Sequence, residues 1–117
     1  MNSAYMNFAE TDFVSKRFIS GQQPVQHYLK DFFRNGAIII DIRPNDAYHQ
    51  EHIKGTTNIP LEKLKLAIPA LKQINRVYIL VCETGASSSI AVNMLRNEGI
   101  EAYNGGCWKQ ISEIVLN

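Results

Sequence analysis

The chain has 117 residues, room for one domain with a core that needs neither metal nor disulfide staples. Its 45% hydrophobic and 20% charged residues exclude a disordered chain. Twelve Lys and Arg against eleven Asp and Glu leave a formal net charge of +1, with no surplus to attract nucleic acid.

Residues 1–17 mix Asn, Ser, aromatics and charges without a period and read as an arm ahead of a domain over 18–117. From Ser20 a helical pattern begins, with Val25, Leu29, Phe32 and Phe33 on one face, and Asn35-Gly36 ends it. Ala37 to Ile42 is apolar on both faces, as in a central strand of a parallel sheet. Pro44 opens a short polar helix through His49, and Asn58-Ile59-Pro60 is a brief extended piece. Leu61, Leu64 and Ile68 define a further helix, in which Pro69 predicts a kink or a restart. Val77 to Cys82 is the second fully apolar strand, and Ala86 to Asn97 a helix ended by Gly99. Ile100 to Tyr103 reads as a third short strand, Gly105-Gly106 as a turn, and Ile111 to Leu116 as a last helical turn or two. Strands alternating with helices define an α/β domain with a mostly parallel sheet.

In such sheets, ligands bind beyond the carboxyl ends of the strands, where loops lead into helices. Cys82-Glu83-Thr84-Gly85-Ala86-Ser87-Ser88 occupies that position. Unpaired amides at a helix start stabilise a thiolate, which makes Cys82 a candidate nucleophile at neutral pH. Gly85 lets the backbone curl so that several N–H groups face one anion: the thiolate, a persulfide, or an oxyanion carried by a substrate. The plainer reading is a small core residue at a strand end. The glycine and the immediate helix start favour the reactive one.

Three segments carry a family resemblance. Asp41-Ile-Arg43, Tyr48 and Glu51 to Pro60 resemble the opening motif of rhodanese-like domains. Val77 to Ser88 resembles their active-site strand and six-residue loop, with the cysteine first and a glycine three residues on. Gly105-Gly106 followed by Trp108 resembles their closing signature, so the likeness extends in order over about residues 18–117. It implies a five-stranded parallel sheet flanked by helices on both faces. It also implies sulfur transfer, in which a donor places a sulfane sulfur on Cys82 and the persulfide passes it to a thiol or protein acceptor. The loop residues Glu83, Thr84, Gly85, Ala86, Ser87 and Ser88 would then bind the persulfide and any donor anion, with hydroxyls of Thr84, Ser87 and Ser88 as added donors.

One position departs from the pattern. Members that use thiosulfate usually carry Arg where this chain has Ser87, and no Arg occurs between Arg76 and Arg96. Ser cannot imitate a charged, planar fork of donors, and Glu83 adds a negative charge beside the thiol. A persulfide or polysulfide is therefore the expected donor rather than thiosulfate. Ser87 also feeds the alternative of a non-catalytic binding or regulatory module that has kept the fold, while the retained Cys82 and Gly85 argue against it.

Other chemistries find less support. The loop lacks the glycines of a dinucleotide site, the closing Gly of a serine nucleophile elbow, and the Arg of a cysteine phosphatase. His49 and His52 lack the further ligands a metal needs, and neither metal nor organic cofactor is expected. His52 is expected to hydrogen-bond backbone within its own motif, and Asp41 and Arg43 to orient neighbouring loops. Cys107 either resolves an oxidised Cys82 or packs beside Trp108. The longest apolar run, Val77 to Cys82, is too short to span a bilayer. With a polar N-terminus and only two cysteines, the expected setting is cytoplasmic, without membrane or nucleic-acid partners.

Overall fold

A computed structural model describes residues 26–115. The expected arm, residues 1–17, lies outside them. The elements run α1 (Gln26–Arg34), β1 (Ile38–Asp41), α2 (Asn45–Gln50), β2 (Thr57–Asn58), a 3₁₀ turn (Leu61–Lys63), α3 (Leu64–Ile74), β3 (Tyr78–Cys82), α4 (Ala86–Asn97), β4 (Ala102–Cys107) and α5 (Trp108–Val115). The strands form one parallel sheet in the order β2-β1-β3-β4. Among the described residues the sheet thus has four strands, where five were expected. It remains an α/β sheet with helices on both faces.

The unbroken apolar runs of β1 and β3 follow from that layering. Tyr78, Leu80 and Cys82 pack with Leu64, Ile68 and Leu71 of α3 and Ala91, Val92 and Leu95 of α4. Ile79 and Val81 face the opposite layer, with Leu29 of α1 and Trp108 and Ile111 of α5. A strand covered on both sides has no polar face, so it shows no alternation. No helix among the described residues is long and apolar enough to cross a membrane.

Three further expectations change. α3 runs through Pro69 as one helix. Pro69 is exposed while Ile68 and Leu71 are buried, so core packing holds the helix on either side of it and the expected restart does not occur. Gly105-Gly106 is not a turn but part of β4, which extends to Cys107. The register passes from Leu80 opposite Asn104 to Val81 opposite Gly106, leaving Gly105 as an extra, bulged residue. A Cβ at Gly105 would lie 2.8 Å from Ile79 Cγ2 and 2.9 Å from Val81 Cγ1, so the strand needs glycine there to keep its seat on the apolar layer. The last helix also starts three residues early, at Trp108, because Trp108 and Ile111 anchor it to that layer.

Candidate active site

β3 ends at Cys82, and the chain turns through Glu83, Thr84 and Gly85 into α4. Gly85 takes φ +97°, and a Cβ on it would come 3.3 Å from the Gly106 Cα, so the loop rests directly on the β4 backbone. This brings the Gly85 amide to 2.9 Å and the Ser88 amide to 3.3 Å from Cys82 Sγ, both donating to sulfur. The thiol donates to Ser88 Oγ at 3.4 Å. Burial pushes the Cys82 thiol up. The Ser88 hydroxyl and amide and the Gly85 and Thr84 amides outweigh burial, and the net result lies below the ordinary value.

The remaining loop residues separate into two groups. Thr84 Oγ1 accepts the Ala86 amide at 3.3 Å, and the Ser89 amide donates to the Gly85 carbonyl at 3.2 Å. Glu83, Thr84, Ala86 and Ser87 form an exposed rim, while Ser88 is fully buried beside the sulfur. Glu83 does not swing free: its Oε1 accepts Trp108 Nε1–H at 3.0 Å. Trp108 in turn lies under the Arg43 guanidinium, 4.0 Å from the ring centroid.

Arg43 is itself engaged. Its guanidinium donates to both oxygens of Asp41 at 2.9–3.1 Å and to the Glu51 carbonyl at 2.8 Å. The pair therefore orients neighbouring loops, as its place in the sequence suggested. His52 likewise bonds backbone, with Nδ1 2.8 Å from the Tyr48 carbonyl oxygen and its ring stacked on Tyr48. Cys107 is the Cα partner of Cys82 across the sheet, yet it packs with the Trp108 layer while Cys82 packs with the α3–α4 layer. Both thiols are free. That sorting favours packing beside Trp108 over a resolving disulfide.

One site residue carried no sequence signal. Asn104, 7% exposed, accepts the Ser88 hydroxyl at 2.7 Å and the Gly106 amide at 2.8 Å, and donates from Nδ2 to the Gly85 carbonyl at 3.0 Å. Its importance depends on the bulge, which a local turn reading of Asn-Gly-Gly conceals.

The chain belongs to the rhodanese-like domain family, whose model matches residues 25–111. It is 37% identical over 75 residues to a tRNA sulfurtransferase of Thermoplasma acidophilum, covering 64% of this chain but only 15% of that protein. It is 35% identical over 78 residues to the thiosulfate sulfurtransferase PspE of Escherichia coli, covering 62% of this chain and 72% of that one. Among solved structures it resembles a rhodanese with anions from E. coli, at 33% identity and TM-score 0.59, over 65% of this chain and 92% of the other. Reduced Bacillus anthracis CoADR-RHD gives TM-score 0.63 at 26% identity, over 83% of this chain and 18% of that one.

Proposed function

We propose that this chain is a sulfurtransferase or sulfur carrier in which Cys82 holds the transferred sulfur as a persulfide. The observation that carries this reading is the set of loop donors directed at one sulfur, Gly85 N–H at 2.9 Å and Ser88 N–H at 3.3 Å, with the Ser88 hydroxyl alongside. A cysteine kept only for packing has no need of them. Relatives named for sulfur transfer support the same chemistry.

The Cys82 thiolate attacks the outer sulfur of a persulfide donor, R–S–SH. A new S–S bond forms to Cys82, the donor's S–S bond breaks, and the donor leaves as the thiolate R–S⁻. An acceptor thiolate then attacks the outer sulfur of the Cys82 persulfide, breaking that S–S bond and restoring the Cys82 thiolate. Sulfur moves as a sulfane atom throughout, so no external oxidant or reductant is required. The loop amides serve both anionic forms of Cys82, the thiolate and the deprotonated persulfide.

The donor is a persulfide or polysulfide in preference to thiosulfate. Ser87 supplies no cation, Glu83 is held at the rim by Trp108, and Arg43 is occupied by Asp41. A non-catalytic module, the alternative that Ser87 suggests, leaves the sulfur-directed donors without a purpose. Transfer rates with glutathione persulfide and with thiosulfate, in parallel with Cys82→Ser, test both parts. The expected result is faster transfer from the persulfide and none without Cys82. Equal rates would remove the donor preference, and transfer by Cys82→Ser would remove the nucleophile.

A further inference from the structure

We propose that Asn104, on β4 and outside the loop, is a positioning residue for the Cys82 nucleophile, because its one amide group holds both Gly85 and Ser88, whose amides lie at 2.9 and 3.3 Å from the sulfur. Its Nδ2 fixes the Gly85 carbonyl at 3.0 Å, and Gly85 N–H is the shortest donor to Sγ. Its Oδ1 accepts the Ser88 hydroxyl at 2.7 Å, and Ser88 supplies both the other amide and the hydroxyl beside Sγ. The amide is itself held by Gly106 N–H at 2.8 Å, on the far side of the bulge. β4 thus sets the loop geometry through one buried side chain with both its oxygen and its nitrogen satisfied.

The single Ser88 hydroxyl proton adds a second element. It has three partners within reach: Asn104 Oδ1 at 2.7 Å, the Gly85 carbonyl at 3.1 Å and Cys82 Sγ at 3.4 Å. With a thiol at Cys82, the S–H donates to Ser88 Oγ and the hydroxyl proton lies toward Asn104. Once the thiol loses its proton, the hydroxyl turns to donate to sulfur, and Asn104 keeps the Gly106 amide as its partner. The exchange costs Asn104 its bond to Ser88, while its Nδ2 keeps the Gly85 carbonyl, and with it the Gly85 amide at sulfur, in place in both states. Among the described residues, the charged groups around the loop and Trp108 are Glu83 on the loop, the Asp41–Arg43 pair at the end of β1 and Lys109 on α5, and all stay unchanged in the variants below.

The proposal rests on Cys82 being the nucleophile, but its test reads the thiol and not sulfur transfer, so the two can fail separately. The measurement is the rate of Cys82 alkylation by iodoacetamide across pH, in a Cys107→Ser background. Asn104→Ala should displace the curve to higher pH, slowing alkylation at neutral pH about tenfold, the size of one hydrogen bond to a charged group, while the alkaline plateau is kept. Asn104→Asp keeps the volume and the bond from Gly106. It should displace the curve the same way, because it removes the donor to Gly85 and places a carboxylate near the thiolate. Combined with Ser88→Ala, the Asn104→Ala loss should be smaller than the product of the two single losses. An unmoved curve, or losses that simply multiply, would overturn the proposal. In the unaltered protein, the Asn104 side-chain NH₂ and Gly106 amide NMR signals should shift with the same midpoint as Cys82. Signals that ignore that titration would overturn it without any substitution.

Discussion

The ends of β1 and β3 lie side by side in the sheet, and they are built in opposite ways. β1 ends in Asp41, whose carboxylate takes the Arg43 amide and side chain and is buried with them, at 1% and 6% exposure. Asn58 Nδ2 completes the corner by donating to the carbonyls of Asp41 and Arg43. β3 ends in Cys82, a group that ionises, met only by neutral donors from the loop and Ser88. A permanent charge matched by its counter-ion makes a rigid corner. A sulfur met by neutral donors, with no counter-ion bonded to it among the described residues, fits the reactive corner proposed above.

The contrast can be tested from either end. Cys82→Ser should abolish sulfur transfer while leaving the fold intact, as read by turnover beside a thermal melt. Asp41→Ala leaves Arg43 buried without its partner and should cost about 3–5 kcal/mol in a urea melt, with little effect on Cys82 chemistry in whatever folds. Ser88→Ala should instead spare stability more than chemistry, slowing transfer at neutral pH by about ten- to a hundredfold, with recovery at alkaline pH. Gly105→Ala, forced against Ile79 and Val81, should cost about 1–3 kcal/mol in the same melt. Lys72→Ala, at the exposed Lys72–Glu98 pair, lies outside both corners and should change stability by no more than about 0.5 kcal/mol.

The pH dependence has a definite sign. The loop bonds hold the Cys82 thiol below its ordinary range despite burial, so the midpoint of alkylation should lie at lower pH than that of a free thiol, and the rate should fall as pH drops through it. A curve centred on the free-thiol value would show that the donors do not act on the charge.

Much of this was legible in the sequence, for a physical reason that differs by element. β1 and β3 are buried on both faces, so their apolar runs showed directly, and α4 follows from Gly85 at one end and its apolar period at the other. The candidate site's core, Cys82 with Gly85 and Ser88, stands within seven consecutive residues, so local pattern alone could single it out. β4 was legible only in part. Asn104-Gly105-Gly106 has the composition of a turn, and only the Ile79 and Val81 side chains show why glycine occurs in a strand there. Asn104 reaches the loop across 16 and 19 residues of chain, a relation no local pattern encodes. The restart that Pro69 suggested does not occur for a related reason, since core contacts of Ile68 and Leu71 hold the helix through it.

The most direct measurement is intact-protein mass spectrometry after incubation with glutathione persulfide, on the unaltered chain, Cys82→Ser and Cys107→Ser. One added sulfur in the unaltered chain and in Cys107→Ser, removed by thiols and missing from Cys82→Ser, is the predicted result. Sulfur retained by Cys82→Ser, or none gained by the unaltered chain, would contradict the assignment of Cys82 as the persulfide site.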